Sequence, residues 1–264
     1  MLWFDVYNVP LCLESMTIQL IGFDYGLNPN ERLNIVEEVI NTSCADLILF
    51  PGHTLRDEDD VYYLERRLCN TSSVVVLELE EAWPTSCMSA RNELYVYRNG
   101  SFEDLYTSQI FSTADDIKGN EILMHKLFDE CSRRRIECCG KTITILQCGE
   151  TALLSSSKAD NYMASFRFKD NKELLKRYMS MLESTDIFLN PIHDLQGEQG
   201  VMFQRRITLS KNGRYYFSTC ALNEGMIGKF ESKRLQYAYF DAQEMFVSPE
   251  INRCLGYVSR IFPI

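Results

Sequence analysis

The sequence has no apolar run approaching the ~18 residues that span a bilayer. Met1 to Cys12 mixes Trp3, Asp5, Asn8 and Pro10, so it does not read as a cleavable signal. No membrane partner is expected, and a reducing, cytoplasmic setting is. Cations are in deficit: 27 Lys and Arg against 37 Asp and Glu give a formal charge of -10 and a pI near 4.9. That balance opposes a surface that tracks phosphates, so direct nucleic-acid contact is not expected. The densest basic cluster, Arg133, Arg134 and Arg135, reads as a solvated helix end. Glycine-rich phosphate loops (GxxxxGK[ST], GxGxxG) and the GxSxG elbow are absent, which removes sequence support for those nucleotide and serine-hydrolase sites. There are ten cysteines but no CxxC, and the three histidines, His53, His125 and His193, stand far from any cysteine pair. No metal or cofactor is expected from such spacing, and most cysteines read as small core residues. The acidic run 56–60 lacks a calcium-loop pattern and reads as a solvated loop. Repeats, low-complexity tracts and linkers are missing too, which points to one domain over 16–264 after an N-terminal extension of 1–15.

What is present is an alternation of strands and helices. Met16 to Phe23 is an apolar run of strand length, and Asn28-Pro29-Asn30 offers an N-cap before Leu33, Ile35, Val36, Val39 and Ile40 at helical spacing. Ala45 to Pro51 is a second apolar strand, and the crossover between the two predicts parallel neighbours. Ser73 to Leu79 reads as a third strand, and Asn99-Gly100 predicts a hairpin between Glu93–Tyr97 and Ser101–Leu105. Downstream, the pattern predicts helices over 121–134, 171–183 and 200–211, and strands over 141–147, 186–191, 214–221 and 237–240. A layered α/β sandwich fits this order better than a bundle or an all-β barrel.

Three landmarks, taken in order, resemble the nitrilase (carbon–nitrogen hydrolase) superfamily. ADLILFP looks like that family's second strand, which delivers a catalytic glutamate just after Phe-Pro; Gly52 holds that place here. A hairpin turn, a tyrosine, one residue and a catalytic lysine follow in the family. Here they are Asn99-Gly100, Tyr106 and, at the lysine position, Ser108. The strand GKTITILQCGE matches the one that ends in the nucleophilic cysteine, with Cys148 and Glu150. DIFLNP and QRRITLSKNGRYYFSTC match later family segments, while 221–264 is weakly matched. The resemblance implies an α-β-β-α sandwich that pairs through its helices, as a homo-oligomer or with a partner protein.

Family chemistry needs a base for the thiol and a cation for the tetrahedral intermediate, and neither glycine nor serine supplies these. The candidate catalytic residues are Cys148 as nucleophile and His53 or Glu150 as base. Gly52, Ser108, Gln109 and His193 are the candidate binding residues, with Gln109 a neutral donor to an oxyanion and His193 a pocket-lining residue. Each has a plainer reading: Cys148 as a small residue ending a core strand, His53 and His193 as loop histidines, Glu150 as a cap on the backbone. The expectation from the sequence is a catalytically degenerate module for ligand binding or assembly, holding a small molecule or joining a multi-protein system such as a prokaryotic antiviral one. The alternative is an active cysteine amidase with a rebuilt site.

Overall fold

Along β1 (Thr17–Phe23) the side chains divide by parity. Ile18 and Leu20 enter a core between two sheets, while Ile21 and Phe23 enter a core beneath helices. The second strand, β2 (Leu47–Leu49), repeats the division, with Leu47 and Leu49 on the first side and Ile48 on the second. Strands covered on both faces must be apolar at every position, which is why they read as continuous runs. The computed structural model of the chain describes residues 15–24, 26–80, 93–156, 164–194, 199–221 and 235–264. The N-terminal extension through 14 and the stretch 222–234 lie outside the described residues.

Helix α1 (Pro29–Thr42) joins β1 to β2, and the two strands are parallel neighbours. Its Asn28 cap is closed reciprocally by Glu31, a capping box that contributes about 1 kcal/mol. Next come α2 (Glu58–Glu65), β3 (Val74–Glu78), and the hairpin of β4 (Glu93–Arg98) and β5 (Ser101–Ser108). Asn99 and Gly100 both take positive φ, as that turn requires. The second half runs α3 (Glu121–Arg133), β6 (Arg135–Cys138), β7 (Lys141–Ile145), a 3-10 turn over Cys148–Leu153, β8 (Leu154–Ser156), β9 (Ala164–Phe166), α4 (Lys172–Glu183), β10 (Ile187–Asp194), α5 (Gln199–Ser210) and β11 (Tyr215–Ala221). The chain closes with β12 (Gln236–Phe240), β13 (Gln243–Met245), β14 (Glu250–Asn252) and β15 (Tyr257–Pro263).

These strands form a seven-stranded sheet, β14-β15-β1-β2-β3-β4-β5, a six-stranded sheet, β13-β12-β11-β10-β7-β6, and a small β8-β9 pair. The two large sheets face each other across Leu20, Leu49, Val76, Ile145, Leu189 and Phe217. Helices α1 and α2 cover the outer face of the first sheet, and α3, α4 and α5 cover that of the second. The order of layers is α-β-β-α. No described helix is long and apolar enough to cross a membrane.

Three sequence expectations are corrected here. The run 56–60 starts a helix: Asp57 caps α2, and Asp60 is buried, accepting from the Arg56 backbone and pairing with its guanidinium. Arg134 is wholly buried, so the arginine cluster is not a solvated helix end throughout. Burial also divides the described cysteines, with Cys131, Cys138, Cys148 and Cys220 inside and Cys44, Cys69, Cys139 and Cys254 exposed. The weakly matched C-terminus supplies β15, which runs antiparallel to β1 in full register from Thr17↔Pro263 to Phe23↔Tyr257.

Candidate functional site

The C-terminal ends of β2 and β3 from one sheet meet those of β7 and β10 from the other, where open α/β sheets usually present their chemistry. Past β2 the chain crosses to the opposite sheet, with the Gly52 N–H donating to the Ile192 carbonyl at 3.1 Å. This contact sets Gly52 and His53 beside His193. Glu78 is the last residue of β3 and is completely buried. Its Oε1 lies 2.6 Å from His193 Nε2 and 3.9 Å from His53 Nε2, and its Oε2 accepts from Gln147 Nε2 at 3.0 Å. The two imidazoles stack, with ring centroids 3.6 Å apart and planes inclined by 16°. Each keeps about a fifth of its side chain exposed, so the cluster opens to solvent on the imidazole side and is sealed behind the carboxylate.

Gly52 is required by this packing. A Cβ there would stand 2.2 Å from His193 Cδ2 and 3.1 Å from Glu78 Oε1, so the volume any side chain at 52 would need is filled by the His193 ring. His53 takes the left-handed backbone conformation, φ 57, uncommon for a residue other than glycine. Its carbonyl is held by Arg32 Nη1 at 2.8 Å, and Arg32 is tied in turn to Glu80 at 3.3 Å.

Cys148 opens the 3-10 turn after β7, among Ile192, Met202 and Cys220. Asn190 holds the turn in place: its Nδ2 donates to the Leu146 carbonyl at 2.6 Å and the Cys148 carbonyl at 3.4 Å, while its Oδ1 accepts from Tyr216 at 2.8 Å. His193 is hydrogen-bonded to both Cys148 and Glu78. Burial pulls its pKa down, but those two bonds and the neighbouring negative charge outweigh it and push the imidazole up to about 10. A thiol, an imidazole and a buried carboxylate thus form one connected chain.

Of the residues anticipated from sequence, Cys148, Gly52, His53 and His193 come together. Glu150 does not act toward this cluster. Its Oε1 accepts from the Ile110 N–H at 2.8 Å, and its Oε2 from the Gln147 N–H at 2.8 Å and from Arg134 Nη1, so both oxygens are engaged in holding the turn. Burial pushes this carboxyl up, against the pull of Arg134 and the two N–H groups. Gln109, expected as an oxyanion donor, is buried and directs its Nε2 to the Phe111 carbonyl at 2.9 Å and Ser112 Oγ at 3.3 Å. Ser108 ends β5, and its carbonyl accepts from Arg134 Nη2 at 2.5 Å. Gly149 is another enforced glycine, because a Cβ would fall 1.8 Å from the Ser112 carbonyl oxygen. Sequence reading missed Glu78 altogether. Its signal was a lone carboxylate ending a run of valines and leucine that both faces of the sheet require to be apolar.

The sequence matches no protein-family model and no curated protein. Solved structures do resemble it. An amidase from Nesterenkonia sp. is 11% identical with a TM-score of 0.52, over 94% of this chain and 90% of that one. A CN-hydrolase superfamily protein from Xanthomonas campestris, with an arsenic adduct in its active site, is 12% identical with a TM-score of 0.54, over 94% and 91%. A glutamine-dependent NAD(+) synthetase from Cytophaga hutchinsonii is 9% identical with a TM-score of 0.55; the match spans 95% of this chain but 43% of the synthetase. The chain therefore has the nitrilase-like fold of carbon–nitrogen hydrolases, as its ordered motifs implied.

Proposed function

We propose that the protein is a cysteine-dependent hydrolase of carbon–nitrogen bonds whose base has moved from one strand end to another. The observation that supports it is the exchange of volume at Gly52: the space of a side chain after Phe50-Pro51 is taken by His193, which bonds both Cys148 and the buried Glu78. In this reading Cys148 and His193 work as a thiolate–imidazolium pair, the imidazole holding the proton that the thiol gives up, and the thiolate attacks the carbonyl carbon of an amide. The tetrahedral adduct collapses as the amine leaves with the proton from His193. A water deprotonated by His193 then hydrolyses the thioester, releasing the acid and restoring the thiol. Glu78 orients the imidazole and balances its charge, with Gln147 fixing the carboxylate.

The lysine has no substitute in this scheme. Arg134 reaches Ser108, but its Nε is bonded to Thr107, its Nη1 to Glu150 and its Nη2 to the Ser108 carbonyl. Loss of one oxyanion partner costs about 3–4 kcal/mol, so turnover is expected to be roughly a hundredfold to a thousandfold below that of a complete site. The same gap favours the second reading, a binding or assembly module that keeps the fold without the chemistry.

Metal-free protein treated with iodoacetamide and assayed against a panel of amides and nitriles separates the two. The hydrolase reading expects Cys148 to alkylate faster than the exposed Cys44, Cys69, Cys139 and Cys254, and turnover to vanish in Cys148→Ala. Slower labelling of Cys148 than of those surface thiols, with no turnover on any amide or nitrile, leaves the binding module.

A further inference from the structure

The cluster proposed above as a proton relay also gathers residue types that ligate metals. His53 Nε2, a Glu78 carboxylate oxygen and a His193 ring nitrogen lie within 4.8 Å of one another, and they come from three separate strand ends. From this geometry we infer that His53, Glu78 and His193 form a binding site for a single Zn2+ ion, with the fourth position left to water or a substrate atom.

Four features carry the inference. Two imidazoles and a carboxylate form a donor set that zinc accepts, whereas calcium and magnesium require oxygen cages. Ligand atoms around a tetrahedral zinc stand about 3.3 Å apart, given bonds of about 2.0–2.1 Å. The separations to Glu78 Oε1, 2.6 Å from His193 and 3.9 Å from His53, bracket that value, and closing the site requires the two stacked rings to open from their 16° inclination so that both nitrogens face one ion. Metal-binding carboxylates are usually fixed by an outer hydrogen bond, and Gln147 Nε2 provides one to the second Glu78 oxygen at 3.0 Å. Finally, His53 holds an unfavourable positive φ that sets its ring against His193. The proton relay does not need this ring, but a chelate does.

Occupancy by zinc has a direct consequence for chemistry. The ion takes the His193 lone pair that would otherwise hold the proton given up by Cys148, so metal binding and hydrolysis exclude each other. That inhibitory half rests on the hydrolase reading, while the binding half stands without it.

The test uses chelator-stripped full-length chain titrated with Zn2+ against a chromophoric competitor, with Co2+ as the spectroscopic substitute. Expected are one equivalent of zinc per chain, an increase in Tm, and a visible Co2+ spectrum of tetrahedral intensity that persists in Cys148→Ala. His53→Asn keeps a residue that tolerates positive φ but removes the imidazole, and should weaken zinc binding at least about tenfold. His193→Gln should do the same. Absence of stoichiometric binding by the wild type overturns the site. So does zinc affinity that is unchanged in both His53→Asn and His193→Gln, which would place the ion elsewhere. Zinc that binds and protects Cys148 from iodoacetamide supports both halves. If zinc binds to a protein without turnover, the site stands and the hydrolase reading fails; if turnover persists at saturating zinc, the inhibitory half fails alone.

Discussion

Two carboxylates flank Cys148 in this fold, and both are completely buried, yet they are equipped for different work. Glu150 faces Arg134, also fully buried, and two backbone N–H groups. A guanidinium does not give up its proton in a protein, so this pair can hold the turn but cannot move charge. Glu78 faces imidazoles that remain partly open to solvent and a glutamine amide. An imidazole can give up its proton, as a guanidinium cannot, and accepts metals, so the same residue type at the same burial becomes part of a reactive cluster. The partner, and its access to water, decides the role of a buried acid.

The largest expected effect falls on the Glu78 side. His193→Gln should reduce turnover of a responsive amide by about 10^3–10^4-fold in metal-free protein, because the thiol loses its base and the leaving amine its acid. Glu78→Gln should cost about a hundredfold. In the wild type, His193 keeps its proton until about pH 10, so kcat should fall as pH rises through that value, when the group that protonates the amine is lost. A profile flat to pH 11 would remove His193 from that role. On the other side, Arg134→Met strands the Glu150 charge in the core and should destabilise the fold by about 3–5 kcal/mol in urea unfolding. Activity per folded molecule should change less than tenfold. If Arg134→Met instead silences Cys148 labelling in protein that is still folded, the division between the two acids is wrong.

Local patterns exposed most of the framework. The Asn28 cap, the β1-α1-β2 crossover and the Asn99-Gly100 hairpin rest on short-range chemistry and stand where their residues predict. The 3-10 turn after β7 and the antiparallel return of β15 onto β1 depend on contacts from far along the chain, which periodicity does not carry. Arg134 illustrates the same limit. Three adjacent arginines read as a solvated end, and only the approach of Thr107, Ser108 and Glu150 makes the middle one internal. At the site, Cys148, Gly52, His53 and His193 come together, while Glu150 faces Arg134 and Glu78 takes the place beside the imidazoles. Glu150 drew attention because it follows the cysteine in sequence, whereas Glu78, 69 residues from Gln147 along the chain, is brought in by the packing of one sheet on the other.

The smallest predicted effect probes the exchange of volume itself. Gly52→Ala places a Cβ 2.2 Å from His193 Cδ2, so the ring must shift or the strand ends must separate. Overpacking of this kind costs about 1–3 kcal/mol. Gly52 does not take a positive φ, so the cost comes from the collision and not from backbone conformation. Two residues in contact should therefore couple. In a His193→Ala background the obstructing ring is gone, and the penalty for Gly52→Ala should fall to about zero. The four proteins of this cycle, unfolded in urea, measure the coupling directly. Equal penalties in both backgrounds would mean that position 52 is glycine for some reason unrelated to His193, and the relocated base would lose its structural rationale.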